Sequence, residues 1–274
     1  MEYRGRIAVV TGAGSGIGRA LAIELAGRGA RLALSDVDRA GLDETVKQCG
    51  PRRDQVRAFE LDVSDRRAVL AHAEEVAGIF GRVNLVVNNA GVAVVGTVEE
   101  TGFDDLDWLL GINLMGVING TKAFLPHLIR SGDGHLVNVS SVFGLVAPAY
   151  QSAYCTAKFG VRGFTESLRQ EMLMAGHPVS VHCVHPGGIK TDIARRARYP
   201  GGRGRFGSDP AERFERMATT TPQMAARKIL AGVDRDAPRI LVGTDAYVIA
   251  ALPRLLGIRY TALFARAGRR ALRG

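Results

Sequence analysis

Arg6 to Thr11 reads RIAVVT, a short β-branched run, and it breaks directly into Gly12-Ala13-Gly14-Ser15-Gly16-Ile17-Gly18. The apolar-periodic stretch Ala20 to Leu25 follows. Strand, glycine turn and helix in that order are the layout of a dinucleotide site. Glycines let the backbone approach a pyrophosphate, and the helix N-terminus offers free N–H groups and a partial positive charge. A plain tight turn is the competing explanation, and the strand and helix on either side weigh against it.

The alternation then repeats. Arg31 to Asp36 forms a second expected strand, and Asp36 closes it about twenty residues after the turn, where an acid can bind two ribose hydroxyls. A carboxylate there repels the extra phosphate of NADP. Ser15 and Val37 offer no compensating cation, and Arg39 begins an expected helix, Arg39 to Gln48, where it is solvated. NAD is therefore the expected cofactor, with NADP disfavoured. Gln55 to Leu61 is a strand ending at Asp62-Val63, and Ser64 is the expected N-cap of a helix, Asp65 to Phe80. Arg82 to Val87 ends in Asn88-Asn89-Ala90-Gly91, and His135 to Ser140 ends at Ser141. Val179 to Val184 leads into His185-Pro186-Gly187-Gly188-Ile189-Lys190-Thr191, and Thr191-Asp192 has the form of a helix start. A helix from Thr221-Pro222 to Val233 and a strand, Pro238 to Val242, complete the series. Strands alternating with helical patterns give the α/β class: a doubly wound parallel sheet with helices on both faces. Ligands bind beyond the strand carboxyl ends in such sheets. The glycine turn, Asp36, Asp62, Asn88 to Gly91 and Ser141 all fall there.

Tyr154 and Lys158 are four residues apart in an expected helix, Gln151 to Gly176, so their side chains share one face. Tyrosine titrates near pH ~10 and lysine near ~10.4, so neither alone is a base at neutral pH. A fixed cation beside the phenol favours phenolate, a group able to take a proton from an alcohol or return one to a carbonyl oxygen. Ser141 could hydrogen-bond the same substrate oxygen. Asn113 lies within a long helical region, Phe103 to Arg130, as a satisfied polar residue or a functional kink. On residue type alone, the first is favoured. His182, His185 and Cys155 read as packing.

The three cysteines are scattered, with no metal-ligand spacing, which fits a reducing, cytoplasmic setting. The net charge is +9, and the six arginines after Ala246, with no acid among them, account for six of those charges. The basicity therefore belongs to a tail and not to a nucleic-acid-binding face. Residues 1–274 read as one domain. Within it lie a substrate loop over 191–220, carrying the solvated arginines of Arg195 to Arg205, and an amphipathic tail over 245–274. That tail could cover the substrate pocket, pack on another subunit or lie on an anionic membrane; Pro253 and Gly257 interrupt it and nothing reaches the length of a membrane span, so a part in the pocket or in assembly is expected and membrane association is not.

Five separated motifs occur in order: Thr11 to Gly18, Asp62-Val63, Asn88 to Gly91, Ser141 with Tyr154 and Lys158, and Pro186-Gly187. In this the chain resembles the short-chain dehydrogenase/reductase family over roughly Arg6 to Val242. The resemblance implies a Rossmann-like fold and hydride transfer between a nicotinamide and an alcohol or carbonyl. It makes Tyr154 the general acid/base and Lys158 the residue that lowers its pKa and binds the nicotinamide ribose. Ser141 then polarises the substrate oxygen, and Asn113 holds a water of the proton relay. It assigns Gly12, Ser15, Gly16, Ile17, Gly18, Asp36, Asp62, Val63, Asn89, Ala90, Gly91, Pro186, Gly187, Ile189 and Thr191 to the cofactor. It implies no metal, and a homodimer or homotetramer paired through the two long helices. Two other readings remain open: an NADPH-dependent carbonyl reductase in which Arg39 or Arg19 recruits the phosphate, and a non-catalytic dinucleotide-binding sensor.

Overall fold

A computed structural model describes residues 2–206 and 209–271. Met1, positions 207–208 of the expected loop and 272–274 of the expected tail lie outside the described residues. The elements are β1 (Ile7–Thr11), α1 (Gly16–Gly27), β2 (Arg31–Asp36), α2 (Arg39–Gln48), β3 (Val56–Glu60), α3 (Arg66–Phe80) and β4 (Leu85–Asn88). They continue with α4 (Phe103–Leu110), α5 (Gly116–Ser131), β5 (Gly134–Val139), α6 (Ser152–Ala175) and β6 (Val179–Pro186). The last are α7 (Pro210–Met217), α8 (Pro222–Asp234), β7 (Arg239–Val242), α9 (Thr244–Leu256) and α10 (Tyr260–Ala271).

Among the described residues the strands form one seven-stranded sheet in the order β3-β2-β1-β4-β5-β6-β7, with every pairing parallel. All five residues of β1 are buried, as the near-continuous apolar run of a two-sided strand requires. Period-2 alternation divides them. Ala8 and Val10 face the α1 and α8 side with Leu21, Leu25, Ile229 and Leu230, whereas Val9 faces Val76, Phe124 and Leu128. Strand order reverses between β1 and β4, which opens the crevice above those two strands.

Several boundaries differ from expectation for local reasons. Asp65, not Ser64, caps α3, accepting from the N–H groups of Arg67 and Ala68. Ser64 is drawn back to Asp62, donating its Oγ–H to Oδ1 at 2.7 Å. The single helix expected from Phe103 to Arg130 is split by a π turn, Gly111–Met115, centred on Asn113. Thr191-Asp192 starts no helix. That stretch forms turns, and the helix of the loop begins only at Pro210, with Asp209 as its cap.

The tail also differs. Pro253 lies inside α9, and the break comes at Gly257, whose φ of 53° is in the left-handed region. A proline in a last turn removes one hydrogen bond without ending the helix there. As a result Thr244–Arg266, 23 residues, is long and apolar enough by length and composition to cross a membrane, contrary to the expectation that nothing was. Four arginines of the loop, Arg195, Arg196, Arg198 and Arg203, are not simply solvated either. Arg195 pairs with Glu215, Arg196 with Asp38 at 3.9 Å, Arg198 with Asp105 at 2.8 Å and Arg203 with Asp209 at 3.6 Å. Arg198 also lies over Trp108, its guanidinium carbon 3.6 Å from the ring centroid. Its backbone is stitched to the segment after β4, receiving from Val95 N–H and donating to the Ala93 carbonyl.

Candidate active site

The glycine turn and its neighbours are packed backbone on backbone. Gly12 has φ +65°, and a Cβ there would lie 2.7 Å from Ala90 Cα. A Cβ on Gly18 would lie 2.0 Å from the Gly12 carbonyl oxygen. Thr11 ties the second motif to the first, because its Oγ1 accepts from the N–H groups of Asn89 (3.0 Å) and Ala90 (3.1 Å). The Asn89 amide donates back to the Thr11 and Gly12 carbonyls at 2.9 and 3.2 Å. Ser15 precedes α1 in an extended conformation and makes no side-chain cap. The first N–H groups of α1, from Gly16, Ile17 and Gly18, are thus left for a ligand.

Asp36, at the end of β2, accepts one backbone N–H on each carboxylate oxygen: Gly14 at 2.8 Å and Asp38 at 3.0 Å. Each oxygen retains a lone pair for a ribose hydroxyl. The nearby cations are engaged elsewhere. Arg19 donates to Thr45 Oγ1 at 3.0 Å and to the Gly14 and Gly41 carbonyls, and Arg39 pairs with Asp43 at 3.1 Å. Asp62 sits exposed beyond β3, and Val63 is buried beneath Gly116 of α5. Pro186 ends β6. Gly188 N–H donates to Asp245 Oδ2 at 2.7 Å, and a Cβ on Gly187 would strike the same carboxylate at 2.2 Å. Ile189 is buried and bridges to Thr220, while Thr191 reaches back to Gly16, whose Cβ position is 3.1 Å from Thr191 Cγ2.

Gly91 joins this floor to the second cluster. A Cβ built on it would lie 3.3 Å from Asn113 Oδ1 and 3.7 Å from Lys158 Nζ. Asn113 is fully buried and both ends of its amide are used on one residue. It accepts from Val92 N–H and donates to the Val92 carbonyl, each at 2.8 Å. The residue is thus a satisfied amide and a kink together, since the π turn around it is what lets the amide face Val92.

Tyr154 and Lys158 share one face of α6, with the ammonium 5.6 Å from the phenol ring centroid. Burial pushes the Tyr154 phenol up to about 12, and a side-chain hydrogen bond with Ser141 pulls the other way. Lys158, 3% exposed, is pushed down to about 8 by burial. In each group burial is the largest influence, opposed by Ser141 at the phenol and by Cys183 at the ammonium. Ser140 Oγ donates to the Lys158 carbonyl at 2.8 Å, which seats the helix turn against β5, and Ser141 Oγ accepts from Phe143 N–H at 3.1 Å.

Two supporting residues escaped sequence reasoning. His185 is fully buried, with its Nδ1 2.9 Å from the Ser141 carbonyl, and burial pushes its pKa down to about 4. The neutral ring must donate Nδ1–H there, which fixes its tautomer and holds the Ser141 backbone. Asp245 anchors the Gly187-Gly188 turn from the start of α9. A histidine one residue past its expected strand end was the only hint of the first, and nothing local marked the second.

Residues 6–200 match the family model described as short chain dehydrogenase. The "Putative oxidoreductase SadH" of Mycobacterium tuberculosis is 52% identical over 265 residues, covering 96% of this chain and 95% of that protein. The "D-threitol dehydrogenase" of Mycolicibacterium smegmatis is 38% identical over 70% of this chain and 74% of its own length. Among solved structures, a short chain dehydrogenase/reductase from Burkholderia phymatum in complex with NAD superposes with a TM-score of 0.88 at 30% identity, covering 95% of this chain and 97% of that one. With its parallel sheet, glycine turn and Ser141–Tyr154–Lys158 cluster, the chain belongs to the short-chain dehydrogenase/reductase family of oxidoreductases.

Proposed function

We propose that the protein interconverts a hydrophobic secondary alcohol and its ketone with NAD(H), using Tyr154, Ser141, Lys158 and Asn113. The observation that carries this reading is the convergence of those four residues beside Gly91, at the carboxyl ends of β4 and β5 and next to the glycine turn. A sensor that only bound a dinucleotide would have no need of this second cluster.

The residues present fit a nicotinamide dinucleotide. The uncapped start of α1 receives the pyrophosphate, Asp36 the adenosine ribose, and Asp62-Val63 with Asn89 to Gly91 the adenine side and floor. Pro186, Gly187, Ile189 and Thr191 receive the nicotinamide end. The dinucleotide supplies the hydride acceptor or donor. Tyr154 holds the proton that the substrate oxygen gives up or receives, and Ser141 hydrogen-bonds the same oxygen. Lys158 positions the nicotinamide ribose, and Asn113 holds a relay water. NAD is preferred over NADP because Asp36 faces the 2′ position while Arg19 and Arg39 are bound to other groups. The NADPH reading would need one of these arginines released.

The substrate lies against Val92 and the 142–150 segment, under the 191–220 loop that Arg198 holds to α4. A hydrophobic alcohol suits the apolar character of Val92, half-buried there, and of the 142–150 segment. Assembly as a homodimer or homotetramer uses the faces of α5 and α6, the second of which leaves Phe159 and Leu173 exposed. Tyr154→Phe tests the mechanism. It should retain fold and NAD binding and lose turnover by ~10²–10⁴ against an alcohol and ketone panel read at the NADH band. A variant with wild-type turnover on a genuine substrate removes Tyr154 from the reaction. Binding of NAD with no turnover of any panel member favours the sensor.

A further inference from the structure

The C-terminal helices present a surface that the rest of the fold does not cover. Tyr247, Ala251 and Leu255 recur at i, i+4 and i+8 along one side of α9, with Val248 beside them and Ile258 just beyond. Val248 is 66% exposed, Leu255 80% and Ile258 77%. Only 6% of the most apolar window in Thr244–Arg266 is buried. Exposed arginines rim this stripe: Arg254 on α9, Arg259 after the break, and Arg266 and Arg269 on α10. Lys228 adds a further cation, 5.7 Å from the Tyr247 ring centroid. No acidic residue occurs from Ala246 to Gly274.

We propose that α9 and α10 form an in-plane docking surface for an anionic lipid bilayer. An apolar stripe with a purely cationic rim is what an interfacial helix needs, because the apolar side chains enter the headgroup boundary while the arginines meet anionic headgroups. The surface lies on the membrane and does not span it, because the chain is tied to the folded domain at the start of α9 and again at the start of α10. Asp245 is held by Gly188 N–H, and Tyr260, 7% exposed, accepts from Ala147 N–H at 3.1 Å. The turn at Gly257 between these ties keeps the two helices from merging into one straight rod. A second copy of the chain is the competing occupant. Two-fold self-pairing of this face would set arginines against arginines with no acid to meet them, which disfavours it. The proposal is independent of the reaction.

Flotation of the full chain with phosphatidylglycerol/phosphatidylcholine vesicles tests it. The expected result is co-flotation that is lost in high salt and absent with phosphatidylcholine alone. Leu255→Glu with Ile258→Glu should abolish flotation. Arg259→Glu with Arg266→Glu should weaken partitioning by roughly fivefold or more per arginine replaced. All four positions are exposed, and circular dichroism verifies that the variants are folded. Failure of the wild-type chain to float with anionic vesicles overturns the proposal, as does equal binding to neutral ones. A fall in assembly size for Leu255→Glu/Ile258→Glu by light scattering gives the face to a second copy and overturns it too.

Discussion

The ammonium of Lys158 donates to the Val139 carbonyl, 3.0 Å away, and not to the Tyr154 phenol whose ring centroid lies 5.6 Å off. The cation is thus secured to the end of β5 and faces Gly91. One hydrogen bond to a carbonyl cannot replace the water that a buried ammonium loses, so its pKa falls to about 8. The same burial raises the phenol to about 12. At neutral pH the phenol is protonated, poised to donate to a carbonyl oxygen. Alcohol oxidation, which needs the phenolate, should accelerate as pH rises.

Lys158→Met should therefore stabilise the protein while destroying its activity. The lysine binds fewer protons folded than unfolded between pH ~8 and ~10.4, so wild-type stability should rise with pH across that window. Methionine removes the charging cost, on the order of 3 kcal/mol at pH 7, but leaves the Val139 carbonyl unpaired at about 1–2 kcal/mol. A net gain of about 1–2 kcal/mol is expected at pH 7, shrinking and changing sign by pH ~10.5. Urea denaturation at both pH values measures it. A variant less stable at both would show that Lys158 is well paired when charged.

The doubly wound sheet was legible because period and punctuation are local: RIAVVT followed by glycines, RLALSD ending in Asp36, a strand ending in Asn88 to Gly91. Part of the candidate site was legible the same way: the glycine turn, Asp36, Asp62, Asn88 to Gly91 and Ser141 sit at strand ends that the alternation marks, and the four-residue spacing puts Tyr154 and Lys158 on one helix face. What was missed depends on distant partners. Arg198 finds Asp105 and Trp108 some ninety residues away, so its pairing left no mark near 195–205. His185 gains its role only because β6 lies beside β5 and brings it under Ser141. The π turn at Asn113 turns its amide onto Val92, a partner that no helical period encodes.

Cofactor choice should turn on Asp36. NAD is expected to exceed NADP by at least tenfold in kcat/KM, ~1.4 kcal/mol or more. Asp36→Ala should narrow the gap from both sides, losing the ribose hydrogen bonds and the repulsion of a 2′-phosphate. It also deprives Gly14 and Asp38 N–H of their acceptor, so KM for NAD should rise more than kcat falls. A wild-type enzyme that prefers NADPH would redirect attention to Arg39 and Arg19.

Asn113→Leu removes both hydrogen bonds to Val92 inside the fold, leaving a buried donor and acceptor unpaired. A loss of about 2–4 kcal/mol in unfolding free energy is expected, with turnover falling as the π turn relaxes. Asn113→Asp retains the acceptor for Val92 N–H and should cost activity without restoring the donor. Lost turnover at unchanged stability in the leucine variant would mean that the amide acts on the reacting groups directly.

Tyr260 joins the tail to the chemistry. It is buried, packs edge-on against Phe264 at 5.5 Å, and accepts the Ala147 N–H at 3.1 Å. Ala147 lies between Ser141 and Tyr154, in the wall assigned to substrate. Tyr260→Phe keeps the ring and the packing and withdraws only the acceptor, worth about 0.5–1.5 kcal/mol. The freed 142–150 segment should raise the substrate KM several-fold, while kcat and the KM for NAD stay near wild type, because neither Ser141 nor the glycine turn touches Tyr260. Steady-state kinetics with substrate and cofactor varied separately make the distinction. An unchanged substrate KM would detach the tail from the pocket, and a change confined to NAD would place its influence on the Gly187-Gly188 turn through Asp245 instead.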